Sequence, residues 1–237
     1  MKSICIIPAR GGSKGLISKN IQRVNGKPLI HYPISAALSS NVFDTILVST
    51  DSEPIQLAAL ESGAECPFLR DPSFAQDKTS MEDTLRNALL TWEDYSSHHY
   101  DICVFLTCTD LFRKPSWISE AVEFLKNNPN VESVFSGYRC YKNYWEQLPN
   151  GFYQRLRPYM QIYGQRQERL ANKRLIYRED TGLASASRSF LWRSGRRIGD
   201  VVHIIPNDDS FSSLDIHTIE DLQLVEAALN IRNASSN

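Results

Sequence analysis

No apolar run in the 237 residues approaches the roughly 20 needed to cross a bilayer, and the opening MKSICIIPARGG is too short and too soon interrupted by charge to read as a secretory leader. A cytoplasmic protein with no membrane partner is therefore expected. Paired cysteines are missing too. Cys5, Cys66, Cys103, Cys108 and Cys140 are odd in number and scattered, with no C-x-x-C and no histidine spacing for zinc. Reduced thiols are expected, with Cys5 and Cys103 acting as small buried hydrophobes. Net charge is only −1, which provides no global attraction to nucleic acid, and no recognisable nucleic-acid module compensates. No internal repeat or low-complexity tract occurs. Two phosphate-binding signatures are absent as well: the sequence has neither G-x-x-x-x-G-K-[ST] nor G-x-G-x-x-G behind its first apolar run.

What is present reads as one domain over residues 1–237, with 42% hydrophobic residues to build its core. SICIIP, TILVST, DICVFLT, VESVFSG and DVVHIIP have the short, continuous apolar character of strands buried on both faces, and AECPF reads as a further short strand. Between them KPLIHYPISAALSS, EPIQLAALESG, SMEDTLRNALLTWEDY, KPSWISEAVEFLKNN and TIEDLQLVEAALNI carry helical spacing. Thr79 or Ser80 is placed to cap the third of these helices, and acidic residues follow Thr218 at the start of the last. This alternation predicts a three-layer α/β/α fold with a mainly parallel sheet, right-handed crossovers and ligands at the carboxyl ends of the strands.

From about 137 to 190 the rhythm fails. Between Arg139 and Arg197 there are thirteen Lys/Arg against four Asp/Glu, interleaved with aromatics. The segment reads as an insertion that covers a site for an anion or makes a dimer contact. A solvated basic surface is the other reading.

The stretch IIPARGGSKGLISKN is the sharpest local feature. Gly11, Gly12 and Gly15 would let backbone amides turn towards a ligand while Arg10, Lys14 and Lys19 supply full charges, a combination that fits a polyphosphate. This stretch, with NGKPLIHYPISAAL, FDTILVSTDSEPIQLAALESGAECPFLR and SLDIHTIEDL, resembles the acylneuraminate cytidylyltransferases over nearly the whole first half and again near the C-terminus. The resemblance implies a nucleotidyltransferase fold, Rossmann-like and GT-A-like. It also implies a reaction in which the anomeric hydroxyl of a nonulosonic (sialic-acid-like) 2-keto sugar acid attacks the α-phosphorus of CTP and pyrophosphate is released, with Mg2+ (or Mn2+) as cofactor.

Carried over residue by residue, the resemblance implies that Arg10, Ser13 and Lys19 cradle the triphosphate, with Ala9, Gly11, Gly12 and Asn20 beside them and Arg70 and Ser80 as further nucleotide contacts. Lys19, Arg10 and Asp215 are the implied catalytic residues. Three departures stand out. The family's D-x-D reads LDIHT here, so Asp215 keeps the first carboxylate and His217 replaces the second. His217 is either a hydrogen-bond partner for sugar or phosphate, or structural. LTCTDLFR stands where LQPTSPLR is usual, putting Thr107 in place of a substrate-contacting glutamine. Asp110 there is either a metal ligand compensating for His217 or a turn residue.

YREDTGLASASR stands where YRENGAIY is usual. Tyr177, Arg178, Glu179 and Gly182 keep the register, whereas Asp180 and Thr181 change its chemistry. Thr107, Arg178, Glu179, Asp180 and His217 are thus candidate sugar contacts, and the sugar carboxylate would take a cation from Arg166, Arg169, Lys173, Arg174 or Arg178. Asp51 is expected to cap the helix after it, and Asp77 is a nucleotide-side or turn residue. His31, His98, His99 and His203 read as structural or solvated. A homodimer is implied, with Tyr141, Tyr144, Trp145, Phe152 and Tyr159 either as its anchors or as a local mini-core. Alternatives left open are an eight-carbon 3-deoxy acceptor, GTP in place of CTP, and a nucleotide-sugar sensor that has lost the reaction.

Overall fold

The first strand, β1 (Ser3–Pro8), shows why a continuous apolar run becomes a doubly buried strand. Ile4 and Ile6 face one helical layer while Cys5 and Ile7 face the other, the period-2 alternation that a pleated strand imposes. The computed structural model describes residues 1–13, 15–140, 144–156 and 176–235.

β1 is flanked by two parallel neighbours, β4 (Thr45–Ser49) on one side and β5 (Ile102–Phe105) on the other. Beyond β5 come β10 (Ser185–Arg188), β6 (Ser133–Cys140) and β11 (Val202–Asn207), giving the order β11-β6-β10-β5-β1-β4, with β9 (Ile176–Glu179) also paired to β6. β11 is parallel to β6, whereas β10 runs antiparallel to both its neighbours and β9 antiparallel to β6. A separate ladder of β2 (Arg23–Val24) and β3 (Lys27–Pro28) precedes the first helix.

On one face lie α1 (His31–Ser40), α2 (Glu53–Glu61) and α4 (Pro115–Asn127). α4 is held by Trp117, Ile118, Ala121, Val122 and Leu125, an i, i+4, i+8 stripe with its flanks. The other face carries α3 (Met81–Ser96) and the short α5 (Ser189–Arg193), through Leu85, Leu89, Trp92, Leu191 and Trp192. A third apolar cluster docks α6 (Ile219–Ser235) by Leu222, Val225 and Ala228 against Val24, Leu29, Phe112 and Ile216. Of the two expected caps, Ser80 is the one used: its Oγ accepts from the Asp83 amide at 3.0 Å.

The sequence reading needs two changes. AECPF forms no strand, only a single parallel bridge between Leu47 and Glu65, because Pro67 has no N–H with which to continue the ladder. The expected insertion over 137–190 also gives much of its length back to the sheet. β6 runs to Cys140, strands resume at Ile176, and β10 lies in the sheet's interior. Its Ser-Ala-Ser core, 0–1% exposed, lacks the branched residues that mark a strand. Between these strands the described residues form a hairpin, β7 (Trp145–Gln147) with β8 (Tyr153–Arg155), on which Trp145 and Phe152 are 51% and 72% exposed. Tyr141, Tyr159, Arg166, Arg169, Lys173, Arg174 and, in the glycine loop, Lys14 lie outside the described residues.

α3 and α5 are tied by a buried charge. Glu93 accepts from Arg193 at 2.5 and 3.2 Å and from the Tyr100 amide at 3.1 Å. Burial raises the Glu93 pKa, but the hydrogen bonds from Arg193 and Tyr100 outweigh it and the net shift is downward. A depressed folded value means stabilisation that is complete above the unfolded glutamate value of roughly 4.3 and disappears as pH falls through the folded value. Glu93→Gln is expected to cost about 2 kcal/mol at neutral pH, below the roughly 3–5 kcal/mol of a fully buried pair, because Arg193 keeps 34% of its side chain in solvent. Urea denaturation of both proteins from pH 7 to pH 3 checks this, since the two curves should converge at the acid end.

Candidate active site

Because β1 lies between β4 and β5, the chain leaves it in opposite directions, and the carboxyl ends of β1 and β5 open a crevice at this switch point. A cleft of about 490 Å³ occupies it. One wall is the loop after β1 with Arg10, Ser13, Gly15, Lys19 and Asn20. Another is the stretch Phe74–Asp77 with Thr79, Met81 and Thr84, and Arg70 lies at its floor. Thr107, Cys108 and Thr109 after β5, with His217 before α6, complete it.

The glycine loop is built by close contact. None of Gly11, Gly12 and Gly15 has a positive φ. A β-carbon on Gly15 would lie 2.6 Å from the His217 carbonyl oxygen and one on Gly11 3.0 Å from Ser52 Cβ, whereas Gly12 faces open space. The amides are also used differently from the expectation. Gly11 N–H donates to Asp51 Oδ1 at 2.8 Å and Ser13 N–H to the Gly11 carbonyl at 3.0 Å. Asp51 therefore does not cap α2, whose N-cap residue Ser52 makes no side-chain cap; it holds the loop. Asn20, 6% exposed, donates to the Arg10 carbonyl at 2.9 Å, and Lys19 Nζ donates to the Ile216 carbonyl at 2.9 Å. The Gly11 and Ser13 amides are thus spent inside the protein, while the charged side chains of Arg10 and Lys19 line the cleft.

Those cations are steered by carboxylates. Arg10 pairs with Asp77 at 2.9 Å, and Arg70 lies 3.8 Å from Asp51. Burial pulls the Arg70 pKa down and Asp51 opposes it, and an arginine stays charged under such a shift. Gly15→Ala is expected to push the loop off the His217 carbonyl and lower turnover by about 10²-fold, the effect of an ångström-scale misplacement. Gly12→Ala should change it less than threefold, and steady-state rates on the two variants test the contrast.

Three aspartates from separate loops, Asp110, Asp180 and Asp215, lie near enough to one another for the last two to act electrostatically on the first, though none of them lines the cleft itself. Asp215 Oδ1 accepts from the Ile216 amide and Oδ2 pairs with His217 Nε2, each at 2.9 Å. Ile216 is fully buried under α6, and Asp221 takes the amides of His217 and Thr218 at 2.9 and 2.8 Å, so this segment is fixed at the helix start. Asp110 follows β5 in a loop anchored by buried Cys108, Leu111 and Phe112. Its pKa is raised, chiefly by burial, with Asp215 and Asp180 adding to the rise and Arg113 and the Thr107 hydroxyl opposing it.

The remaining candidates do not line the cleft. Arg178 forms a fork with Asp180 at 2.6 and 2.9 Å. Glu179 faces a separate depression with Glu82 and Arg197. Ala9 is buried at 1%, and Ser80 serves α3. Sequence reasoning missed Asp51 as a loop holder and Arg113, whose only signal was a cation after the apolar pair Leu111-Phe112. Among the described residues no group of three or more metal-capable side chains occurs. Magnesium, however, keeps several waters and needs only one or two carboxylates beside substrate phosphates, a demand that Asp110 and Asp215 fit.

A three-layer α/β/α sheet with a cation-lined cleft at its switch point defines a nucleotidyltransferase-type protein. The chain belongs to the cytidylyltransferase family, whose sequence model matches residues 4–155. It is 38% identical over 127 residues to the pseudaminic acid cytidylyltransferase of Campylobacter jejuni, covering 54% of this chain and 55% of that one. Against the N-acylneuraminate cytidylyltransferase of Streptococcus agalactiae it is 41% identical over 138 residues, 57% of this chain and 32% of that one. With the CMP-N,N'-diacetyllegionaminic acid synthase of Legionella pneumophila the identity is 40% over 126 residues, 53% of this chain and 54% of that one. The chain thus spans about half the length, or less, of the curated relatives it matches.

Among solved structures, a CMP:2-keto-3-deoxy-manno-octonic acid synthetase complexed with CTP aligns with a TM-score of 0.70 at 16% identity, covering 98% of this chain and all of that one. The 4-diphosphocytidyl-2C-methyl-D-erythritol synthase of Anaerococcus prevotii aligns at 0.64 with 12% identity, covering 97% and 98%. These likenesses establish the fold. No helix among the described residues is long and apolar enough to cross a membrane.

Proposed function

We propose that this chain transfers CMP from CTP to the anomeric hydroxyl of a nonulosonic 2-keto sugar acid and releases pyrophosphate. The observation that carries the reading is one cleft lined by Arg10, Lys19 and Arg70 and by Thr107, Thr109 and His217, with Asp110 and Asp215 adjoining Thr109 and His217 in the chain and near enough to each other to interact electrostatically. Phosphoryl transfer asks for position and charge neutralisation more than for covalent chemistry. Arg10, Ser13 and Lys19 hold the triphosphate, Lys19 facing charge that builds on the α-phosphoryl oxygens. Asp110 and Asp215 would hold Mg2+, which when bound supplies further neutralisation of phosphate oxygens. The acceptor oxygen forms a bond to the α-phosphorus, the bond from that phosphorus to the bridging oxygen breaks, and pyrophosphate departs. His217, with Nε2 engaged by Asp215, leaves Nδ1 to accept the hydroxyl proton.

The names of the relatives support a sialic-, pseudaminic- or legionaminic-type acceptor. A homodimer formed through the exposed hairpin aromatics, in the cytoplasm where free thiols such as Cys5 and Cys103 stay reduced, completes the proposal. The test is pyrophosphate release with CTP or GTP against N-acetylneuraminate, deaminated neuraminate, pseudaminate, legionaminate and 3-deoxy-octulosonate. Release with CTP and one nine-carbon acid is expected. Release only with GTP or the eight-carbon acid overturns that part of the reading, and silence with CTP bound indicates a sensor.

A further inference from the structure

The turn before β10 meets the loop after β5 in contacts too close to be incidental. A β-carbon on Gly182 would fall on the Asp110 carboxylate, and would lie 3.0 Å from Thr107 Oγ1. The Thr107 hydroxyl donates to that same carboxylate oxygen, Asp110 Oδ2, and the Thr107 amide donates to the Gly182 carbonyl at 3.2 Å. Behind both loops lies Arg113, only 6% exposed. Its NH2 group donates to the carbonyls of Thr107 at 2.6 Å and Gly182 at 2.8 Å, and its Nε to that of Leu183 at 3.1 Å.

Burying a guanidinium to join two loops is a costly way to hold them, since apolar residues of similar volume generally do so as well or better. What apolar residues could not supply is a rigid fork that sets the spacing of the two loops, with a positive charge acting on Asp110. Gly182 and Arg113 are not themselves among the residues that line the cleft. They act on the site through Thr107 and Asp110.

We infer that Gly182 and Arg113 are positioning residues that fix the Asp110 carboxylate, Gly182 by leaving room for it and Arg113 by clamping the loops on either side. The inference rests on the reading of Asp110 as a metal-side carboxylate in a CTP site. Outer contacts of this kind are worth about 10–100-fold in metal affinity.

The experiment is Mn2+ binding to the full chain in the presence of CTP, followed by electron paramagnetic resonance. CTP affinity without metal and the melting temperature are measured in parallel. Asp110→Asn, Gly182→Ala and Arg113→Lys should each weaken Mn2+ binding about tenfold or more, with metal-free CTP affinity within about twofold of wild type. Arg113→Lys keeps the charge and loses the fork, so failure to rescue assigns the effect to geometry. Thr107→Val, with the same shape but no hydroxyl, should weaken Mn2+ by a few-fold and serves if Arg113→Lys does not fold.

Wild-type Mn2+ affinity in Gly182→Ala and Thr107→Val, with Asp110→Asn impaired, overturns the positioning role alone. A parallel loss of CTP affinity and melting temperature makes these residues merely structural and also overturns it. Unimpaired Asp110→Asn, or a wild-type chain that binds no CTP, overturns the underlying reading and the inference with it.

Discussion

Replacing Lys19 by alanine should lower the rate of pyrophosphate release by about 10²–10³-fold, or about 3–4 kcal/mol of transition-state stabilisation, with little change in melting temperature. The ammonium sits at the start of a 3-10 turn, Lys19–Ile21, that follows Ser18 in a left-handed conformation. Among the described residues its hydrogen-bond partner is the Ile216 carbonyl, a neutral acceptor that a phosphate oxygen readily outcompetes. Among the described residues no carboxylate pairs with this lysine at the cleft, unlike Arg10 with Asp77. Charge on the α-phosphoryl oxygens grows as the acceptor approaches, so the loss should appear in kcat more than in KM for CTP. Lys19→Arg should recover only part of the rate, because a planar fork does not reproduce a point charge. A kcat within threefold of wild type for Lys19→Ala would remove this residue from the transition state.

Much of the fold could be read directly from the chain. SICIIP and DICVFLT announce doubly buried strands because apolar residues fill both faces, and KPSWISEAVEFLKNN announces α4 by its stripe. β10 could not be read in this way. Its small residues pair with β5 and β6, about 50 to 80 residues away, where Ser187 Oγ meets Ser133 Oγ at 2.8 Å, a match that no local pattern in the chain reveals. The glycine loop was legible as a phosphate-type loop but for an incomplete reason. Gly15 is dictated by the His217 carbonyl, 202 positions further along, and Asp51 by the Gly11 amide. Asp110, Asp180 and Asp215 likewise carry no local mark of their convergence, which exists only once β5, β9 and α6 have docked.

That convergence makes Asp215 the other residue from which a large effect is expected. Asp215→Asn keeps the shape and the acceptor for the Ile216 amide but removes the charge that pairs with His217, itself a lining residue of the cleft. Turnover should fall by about 10³-fold, several kcal/mol of charge stabilisation at the phosphate oxygens, while the fold persists under the buried cluster around Ile216.

A second readout follows from electrostatics. Asp110 is held above the ordinary aspartate range by burial first and then by the like charges of Asp215 and Asp180. Activity that needs Asp110 ionised is present above that raised value and is lost as pH falls through it. In Asp215→Asn one like charge is gone, so the Asp110 pKa drops and the acid limb of residual kcat/KM should move to lower pH. His217→Asn should cost about tenfold as a lost proton acceptor, at the low end of general acid–base effects, and takes the imidazole out of the acid limb, so the carboxylate effect is read by adding Asp215→Asn to that variant. An acid limb at lower pH in the double variant than in His217→Asn alone would tie the two carboxylates to one site. Identical profiles in both would mean that Asp110 and Asp215 do not share it.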